Sequence, residues 1–230
     1  MNYAIIVAAG KGLRLGGVLR KQYRPLAGVP ILGRTLSTFV KSGRFDEIVV
    51  VAAADEMDAC QRRVIAPFKL STGVRLVAGG RERQASVFNG LEACRGGDDD
   101  LVLIHDGVRP LVTEDLLGQC LAAAQQNGAC IAAVPAFDTL KQGLPDGRIE
   151  KTLVRDAVWL AQTPQGFRLG LIRAAHRQAR EERFVGTDDA QLLERMGHPV
   201  FIVPGSRANI KITHPDDLLL AEAIWRQRHI

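Results

Sequence analysis

The chain is poor in aromatic residues, lacks cysteine pair motifs and has no long hydrophobic run, and each shortage removes a class of explanation. Aromatics make up 5% of the 230 residues, too few for the stacking platforms that single-stranded nucleic-acid binders use. A formal charge of +5 and a pI near 9.3 leave room for an anionic partner. Dense basic runs interleaved with aromatics are missing, so nucleic acid is not the expected one. The four cysteines, Cys60, Cys94, Cys120 and Cys130, form no Cys-x-x-Cys pair. They read as small buried side chains in a reducing, cytoplasmic setting. No apolar run approaches the roughly 20 residues of a membrane helix, and the opening residues carry neither a basic leader nor a cleavage-like site. No linker, repeat or low-complexity tract breaks the chain, which predicts a single domain over residues 1–230.

What is present is a 47% hydrophobic content, enough for a sizeable core. Short apolar or β-branched runs at 3–7, 47–52, 74–77, 101–104 and 129–134 alternate with helical patterns. Leu32, Leu36, Phe39 and Val40 form one helical stripe closed by Gly43. Val87, Leu91 and Cys94 form another, and Leu116, Leu117, Cys120, Leu121 and Ala124 a third after the N-cap candidate Thr113. Strands alternating with helices imply βαβ units. The expected fold is α/β, a Rossmann-like, mostly parallel sheet covered by helices on both faces.

The rhythm changes over residues 136–158, where Pro145-Asp146-Gly147 sits between polar, β-prone flanks. That pattern predicts a β-hairpin projecting from the sheet as an arm. An isolated hairpin needs another surface to cover its apolar side, and a second copy of the chain is the economical one. Beyond the arm the spacing predicts a helix over 169–180, a short helix from Thr187, a strand over 200–203 and a last helix to Arg228. That last helix is expected to start at Thr213-His214-Pro215-Asp216, a Thr cap with an acid three residues on.

Four stretches could carry chemistry. The first is Ala8-Ala9-Gly10-Lys11-Gly12-Leu13-Arg14, which follows a strand and is succeeded by Arg20-Lys21-Gln22-Tyr23. Gly10 and Gly12 let backbone N–H groups face an anion, and Arg14 and Lys21 suit a polyphosphate under attack. Alone, a G-x-G after a strand is equally an ordinary tight turn. It lacks the third glycine of a dinucleotide fingerprint and the Gly-Lys-Ser/Thr of a P-loop. The second is Gly79-Gly80-Arg81-Glu82-Arg83-Gln84-Ala85-Ser86, a strand-turn-helix able to read a base edge, or simply a turn with an exposed Arg pair. The third is His105-Asp106-Gly107-Val108-Arg109-Pro110 at the carboxyl end of a strand, where open α/β sheets bind ligands. Asp106 can accept from hydroxyls, and His105 reads as a packed histidine, with no partner at zinc spacing. The fourth is dispersed: Thr139, Arg155, Thr163 in Gln162-Thr-Pro-Gln165, Thr187-Asp188 and Arg207-Ala-Asn-Ile-Lys211. Each of these is singly compatible with surface or cap. A nicotinamide reductase is disfavoured by the missing glycine and by the lack of an acid ending the second strand, Asp55 being only approximate.

Taken in order, these stretches resemble the cytidylyltransferases that load polyol phosphates onto CMP, and among them the family of 2-C-methyl-D-erythritol 4-phosphate cytidylyltransferases of the non-mevalonate isoprenoid pathway. The matching motifs are A-A-G-x-G-x-R, K-Q-Y, G-G-x-x-R-x-x-S-V, H-D-x-x-R-P, D-T-x-K at 138–141, Arg155 before Trp159, T-P-Q, T-D and N-I-K-x-T at 209–213. The resemblance implies that Ala8, Ala9, Gly10, Gly12, Gly80, Arg81, Ser86 and Asp106 hold CTP. It makes Arg14, Lys21 and Lys211 the catalytic cations around the α-phosphate. Asp106, Arg109, Thr139, Arg155, Thr163 and Thr187 would bind the polyol phosphate, the residues on or beside the arm coming from the neighbouring subunit of a homodimer. It implies Mg²⁺ on the CTP phosphates rather than on protein side chains. Arg20 stands where relatives often carry proline, and reads as a solvated neighbour together with Lys11. Val108 inside H-D-x-V-R-P is shared with ribitol-5-phosphate cytidylyltransferases, which remain the alternative. A non-catalytic nucleotide-binding module is the alternative outside enzymes.

Overall fold

Burial on both faces of the first strand sets the architecture. In β1 (Asn2–Ala8), Ala4, Ile6 and Ala8 enter one core cluster while Tyr3 and Ile5 enter another. A strand apolar on both faces needs cover on both, which is the condition of a central parallel strand. The computed structural model describes residues 1–10, 19–68 and 73–228 and supplies that cover.

After β1 come the two-residue strands β2 (Pro25–Leu26) and β3 (Val29–Pro30), which pair with each other, then α1 (Ile31–Lys41). Leu32, Leu36 and Phe39 turn the stripe of α1 into the first core, and Gly43 follows the helix at φ +60°, a left-handed conformation that glycine adopts without strain. β4 (Glu47–Ala52) is followed by short helical turns including α2 (Met57–Cys60), then by β5 (Val74–Ala78) and α3 (Arg83–Ala93). β6 (Leu101–Asp106), α4 (Glu114–Asn127) and β7 (Ala129–Pro135) complete the alternating part. Thr113 caps α4 as expected, its hydroxyl accepting from Leu116 N–H at 3.3 Å. All four cysteines are buried and free.

Strands β8 (Lys141–Gly143) and β9 (Ile149–Thr152) then pair antiparallel as a separate two-stranded sheet around the Pro-Asp-Gly turn. Every residue of both strands is exposed. β10 (Trp159–Arg168) returns to the main sheet, running antiparallel between β7 and β6. The sequence pattern does not predict this strand: Gln162, Thr163, Pro164, Gln165 and Gly166 disguise it. They are buried, and the three polar side chains are held by hydrogen bonds rather than by apolar packing. α5 (Leu169–Glu181), α6 (Ala190–Arg195), β11 (Phe201–Pro204) and α7 (Pro215–Arg228) end the chain. The acid that caps the start of α7 is Asp217 rather than Asp216. Its carboxylate accepts from Thr213 N–H at 2.7 Å, the Thr213 hydroxyl at 2.9 Å and His214 N–H at 2.7 Å.

The main sheet has seven strands in the order β11-β7-β10-β6-β1-β4-β5, with β10 antiparallel to both its neighbours. Residues of α1 and α4 pack on one face and residues of α3 and α5 on the other. Among the described residues no helix is long and apolar enough to cross a membrane.

Candidate active site

Parallel strands deliver their carboxyl ends to one edge of the sheet, and there β1, β4, β5 and β6 open onto a cavity of about 610 Å³. Ala8, Ala9 and Gly10 form one wall as β1 runs out, and Gly79, Gly80 and Arg81 the facing wall as β5 does. The two walls touch closely. A Cβ at Gly79 would lie 2.4 Å from the Ala9 Cβ and 3.2 Å from the Ala52 carbonyl oxygen, so only glycine lets them meet. Ser86 lies 1% exposed behind the turn. Its hydroxyl donates to the Glu82 carbonyl at 2.9 Å and accepts from Gly80 N–H at 3.1 Å, fixing the loop from within. On the other side, the buried Gln22 amide donates to the Ala8 carbonyl at 3.0 Å and ties the Lys-Gln-Tyr turn to the end of β1. Lys21 lines the cavity beside it.

At the floor stands Asp106, the last residue of β6, 6% exposed. Three cations converge on its carboxylate: Lys211 Nζ at 2.9 Å, Arg83 Nε at 3.3 Å and Arg109 Nε at 3.6 Å. Burial alone pushes this carboxyl up. Arg83, Lys211 and Arg109 outweigh it and hold the group well below the usual carboxylate range. The site thus contains a fixed anion inside a larger cationic cradle. Thr163 accepts from the Asp106 backbone N–H at 3.0 Å and contacts His105 Nδ1 at 3.0 Å, and His105 Nε2 lies 3.2 Å from the Arg109 carbonyl. Burial pushes His105 down to about 4, so the ring is neutral near pH 7, the packed histidine expected of it.

The cavity brings together Lys21, Lys211, Ala8, Ala9, Gly10, Gly80, Arg81, Ser86 and Asp106 from the sequence reading. Gly12, Arg14 and Lys11 lie outside the described residues. Arg109, Thr139, Arg155, Thr163 and Thr187 do not line the cavity. Thr139 and Arg155 are exposed on the hairpin side, Arg155 donating to the Phe137 carbonyl. Thr187 is exposed and bonded to Gln191, and the carboxylate that meets the first turn of α6 is that of Asp188, accepting from Gln191 N–H at 3.0 Å. The Thr163 hydroxyl, 4% exposed, is committed to His105 and the Asp106 backbone rather than facing the hairpin. Arg109 is 9% exposed and donates to the Asn209 carbonyl at 2.7 Å, bracing the Asn-Ile-Lys segment.

Two side chains depart from the sequence reading. Arg20 is not a solvated neighbour: it pairs with Asp55 and, at 3.2 Å, with Glu56, so its charge is matched by acids. Asp55, weighed as a ribose ligand, is that partner. Arg83 is not half of an exposed pair, because it bridges Asp106 and, at 2.8 Å, Asp189. Only the contrast between Arg83 on the first turn of α3 and its neighbour Arg81 before it could have hinted at this.

Comparison with known proteins agrees with the motif order. The family model described as IspD, 2-C-methyl-D-erythritol 4-phosphate cytidylyltransferase, matches residues 2–227. A protein of that description from Geobacter metallireducens is 52% identical over 228 residues, covering 98% of each chain. Another from Syntrophotalea carbinolica is 49% identical over 221 residues, covering 96% of this chain and 94% of its own length. Among solved structures, the 4-diphosphocytidyl-2C-methyl-D-erythritol synthase of Anaerococcus prevotii superposes with a TM-score of 0.85 at 35% identity, covering 98% of each chain. With the family model, high identity, structural superposition and near-complete coverage in agreement, the chain belongs to the 2-C-methyl-D-erythritol 4-phosphate cytidylyltransferase family.

Proposed function

We propose that the chain transfers CMP from CTP to 2-C-methyl-D-erythritol 4-phosphate and releases pyrophosphate, a step of isoprenoid precursor synthesis. The observation that carries this reading is the buried Asp106 carboxylate held among Lys211, Arg83 and Arg109, at the floor of a cavity walled by Ala8–Gly10 and Gly79–Arg81.

The two walls offer backbone groups at a spacing set by Gly79, which suits a flat pyrimidine read along its edge. Asp106, fully ionised, accepts from ribose hydroxyls beside it. Lys21 and Lys211 flank the place where a triphosphate lies, and Arg14, outside the described residues, is the third cation the family resemblance implies. The nucleophile is a phosphate monoester, mostly dianionic at neutral pH with a second pKa of about 6, so it needs no general base. The difficulty is bringing that anion onto the α-phosphorus of another anion. Positioned cations lower the repulsion and stabilise the added charge of the transition state, and pyrophosphate leaves with its negative charge neutralised.

Mg²⁺ fits this site as a companion of the triphosphate. Among the described residues no group of three or more His, Cys, Asp or Glu side chains is placed to hold a metal, and the Asp106 oxygens already face cations. Carried in with the triphosphate beside Lys21 and Lys211, the ion would supply charge neutralisation.

The polyol-phosphate half of the site is completed by a second copy of the chain in a homodimer. Thr139, Arg155 and Thr187 are exposed and away from the cavity. The hairpin also exposes apolar side chains with no core beneath them, Val154 at 82% and Ile149 at 62%. Val108, shared with ribitol-phosphate enzymes, is 6% exposed and belongs to a cluster with Leu26, Ile31 and Ile212, so its packing role suffices to explain it.

Pyrophosphate release from CTP in the presence of a panel of polyol phosphates tests the reading. Release with methylerythritol phosphate supports it. Release with ribitol phosphate alone overturns the polyol assignment, and CTP binding without any release overturns transfer.

A further inference from the structure

The Thr163-Pro164-Gln165 stretch of β10 braces two acids at once. Thr163 Oγ1 accepts from Asp106 N–H at 3.0 Å, and Gln165 Oε1 accepts from Asp189 N–H at 3.1 Å. Between the two carboxylates lies Arg83, with Nε 3.3 Å from Asp106 Oδ1 and Nη1 2.8 Å from Asp189 Oδ2. His176 Nε2 lies 3.1 Å from the remaining Asp189 oxygen. Asp189 and His176 are each 1% exposed, and neither lines the nucleotide cavity. The reaction as derived above makes no use of either.

Their arrangement bears on how Asp106 divides its two oxygens. Oδ1 faces Arg83, while Oδ2 faces Lys211 at 2.9 Å and Arg109 at 3.6 Å. One carboxylate has one charge to share, so an unanchored Arg83 would compete with Lys211 for it. Asp189 holds the guanidinium from the far side at the shorter distance, 2.8 Å against 3.3 Å. Arg83 is thus held between Asp189 and Asp106 Oδ1, and Oδ2 is left to Lys211 and Arg109. Screening is weak among such buried groups, so deleting the Asp189 charge is felt directly by its neighbours.

We propose that Asp189, backed by His176, is a positioning residue for the transfer reaction: it anchors Arg83 so that Asp106 presents Oδ2 to Lys211 and keeps that ammonium aimed at the phosphate under attack. This rests on the cytidylyl-transfer reading of the same site.

A double-mutant cycle on the full chain tests it, with turnover expressed per CTP-binding site counted by calorimetry. Asp189→Asn keeps the shape and removes the charge. In the wild-type background it lowers kcat per site by about tenfold, within the range of coupling between contacting groups. In a Lys211→Ala background the same change costs less than about twofold, because the group it positions is already gone. Equal losses in both backgrounds, or no loss in the first, overturn the proposal. A purely structural role would reduce the number of competent sites, which the per-site count removes. Should Asp189→Asn not fold, His176→Gln enters the same cycle with the same expected non-additivity. Failure of the wild type to release pyrophosphate would sink the reaction itself, an outcome distinct from an additive cycle in an active enzyme.

Discussion

The nucleotide cavity and the hairpin are built on opposite plans. The cavity is assembled by strand ends of one chain, with Asp106, Arg83 and Lys211 locked together over 2.9–3.3 Å. The hairpin, β8 and β9, has no buried residue, and Arg155 near its base faces solvent. Buried charges require that a site be finished when the chain folds, since each must find its partner at once. Exposed side chains carry no such demand and can wait for a second surface. Under the proposed function, one half of the reaction site is intrinsic to the fold and the other depends on association.

That contrast predicts where substitutions act. Lys211→Ala, in the intrinsic half, lowers kcat on the order of 10²–10³-fold, as loss of one transition-state donor does; single-turnover kinetics checks it. Arg155→Ala, in the dependent half, raises KM for the polyol phosphate by about 10- to 100-fold, the loss of a charged hydrogen bond of ~1.5–3 kcal/mol, and leaves CTP affinity unchanged. A shift in CTP affinity instead would erase the division between the halves. Gly79→Ala forces the two nucleotide walls apart at roughly 1–3 kcal/mol of overpacking, raising the CTP dissociation constant about tenfold with no effect on the hairpin.

The smallest effect concerns stability rather than turnover. His105, with its pKa lowered by burial to about 4, binds a proton more readily when unfolded. Its contribution is whole above the ordinary value near 6.5 and is lost as pH falls toward 4. Between pH 7 and pH 5 the wild type should lose on the order of 2 kcal/mol from this group. Thermal melts of His105→Gln should show that much less pH dependence over the same interval, whatever its baseline stability.

Sequence periodicity exposes elements whose side chains repeat a pattern, and hides those stabilised by particular partners. The strand β4 is legible, because Ile48–Ala52 is a continuous apolar run entered from Glu47 after a turn. The β10 strand is not, because Gln162, Thr163 and Gln165 are buried by hydrogen bonds to Ser206, His105 and Asp188 that no local pattern encodes. The site divides likewise. Ala8–Gly10, Gly80 and Asp106 stand at strand ends that the pattern locates. Asp189 reaches Arg83 from 106 residues away and is backed by His176, a separation over which a single sequence carries no signal.

Subunit complementation tests the division most directly. Lys211→Ala and Arg155→Ala proteins, each impaired alone at polyol phosphate well below the raised KM, are mixed under conditions that allow subunits to exchange, and pyrophosphate release is measured at that concentration. If each site joins the cavity of one chain to the hairpin of another, a mixed dimer contains one site with both halves intact. The mixture should then recover about a quarter of wild-type activity, the statistical share of intact sites in a randomly exchanged dimer. Activity that stays at the mean of the two parents after exchange would contradict a site shared between chains.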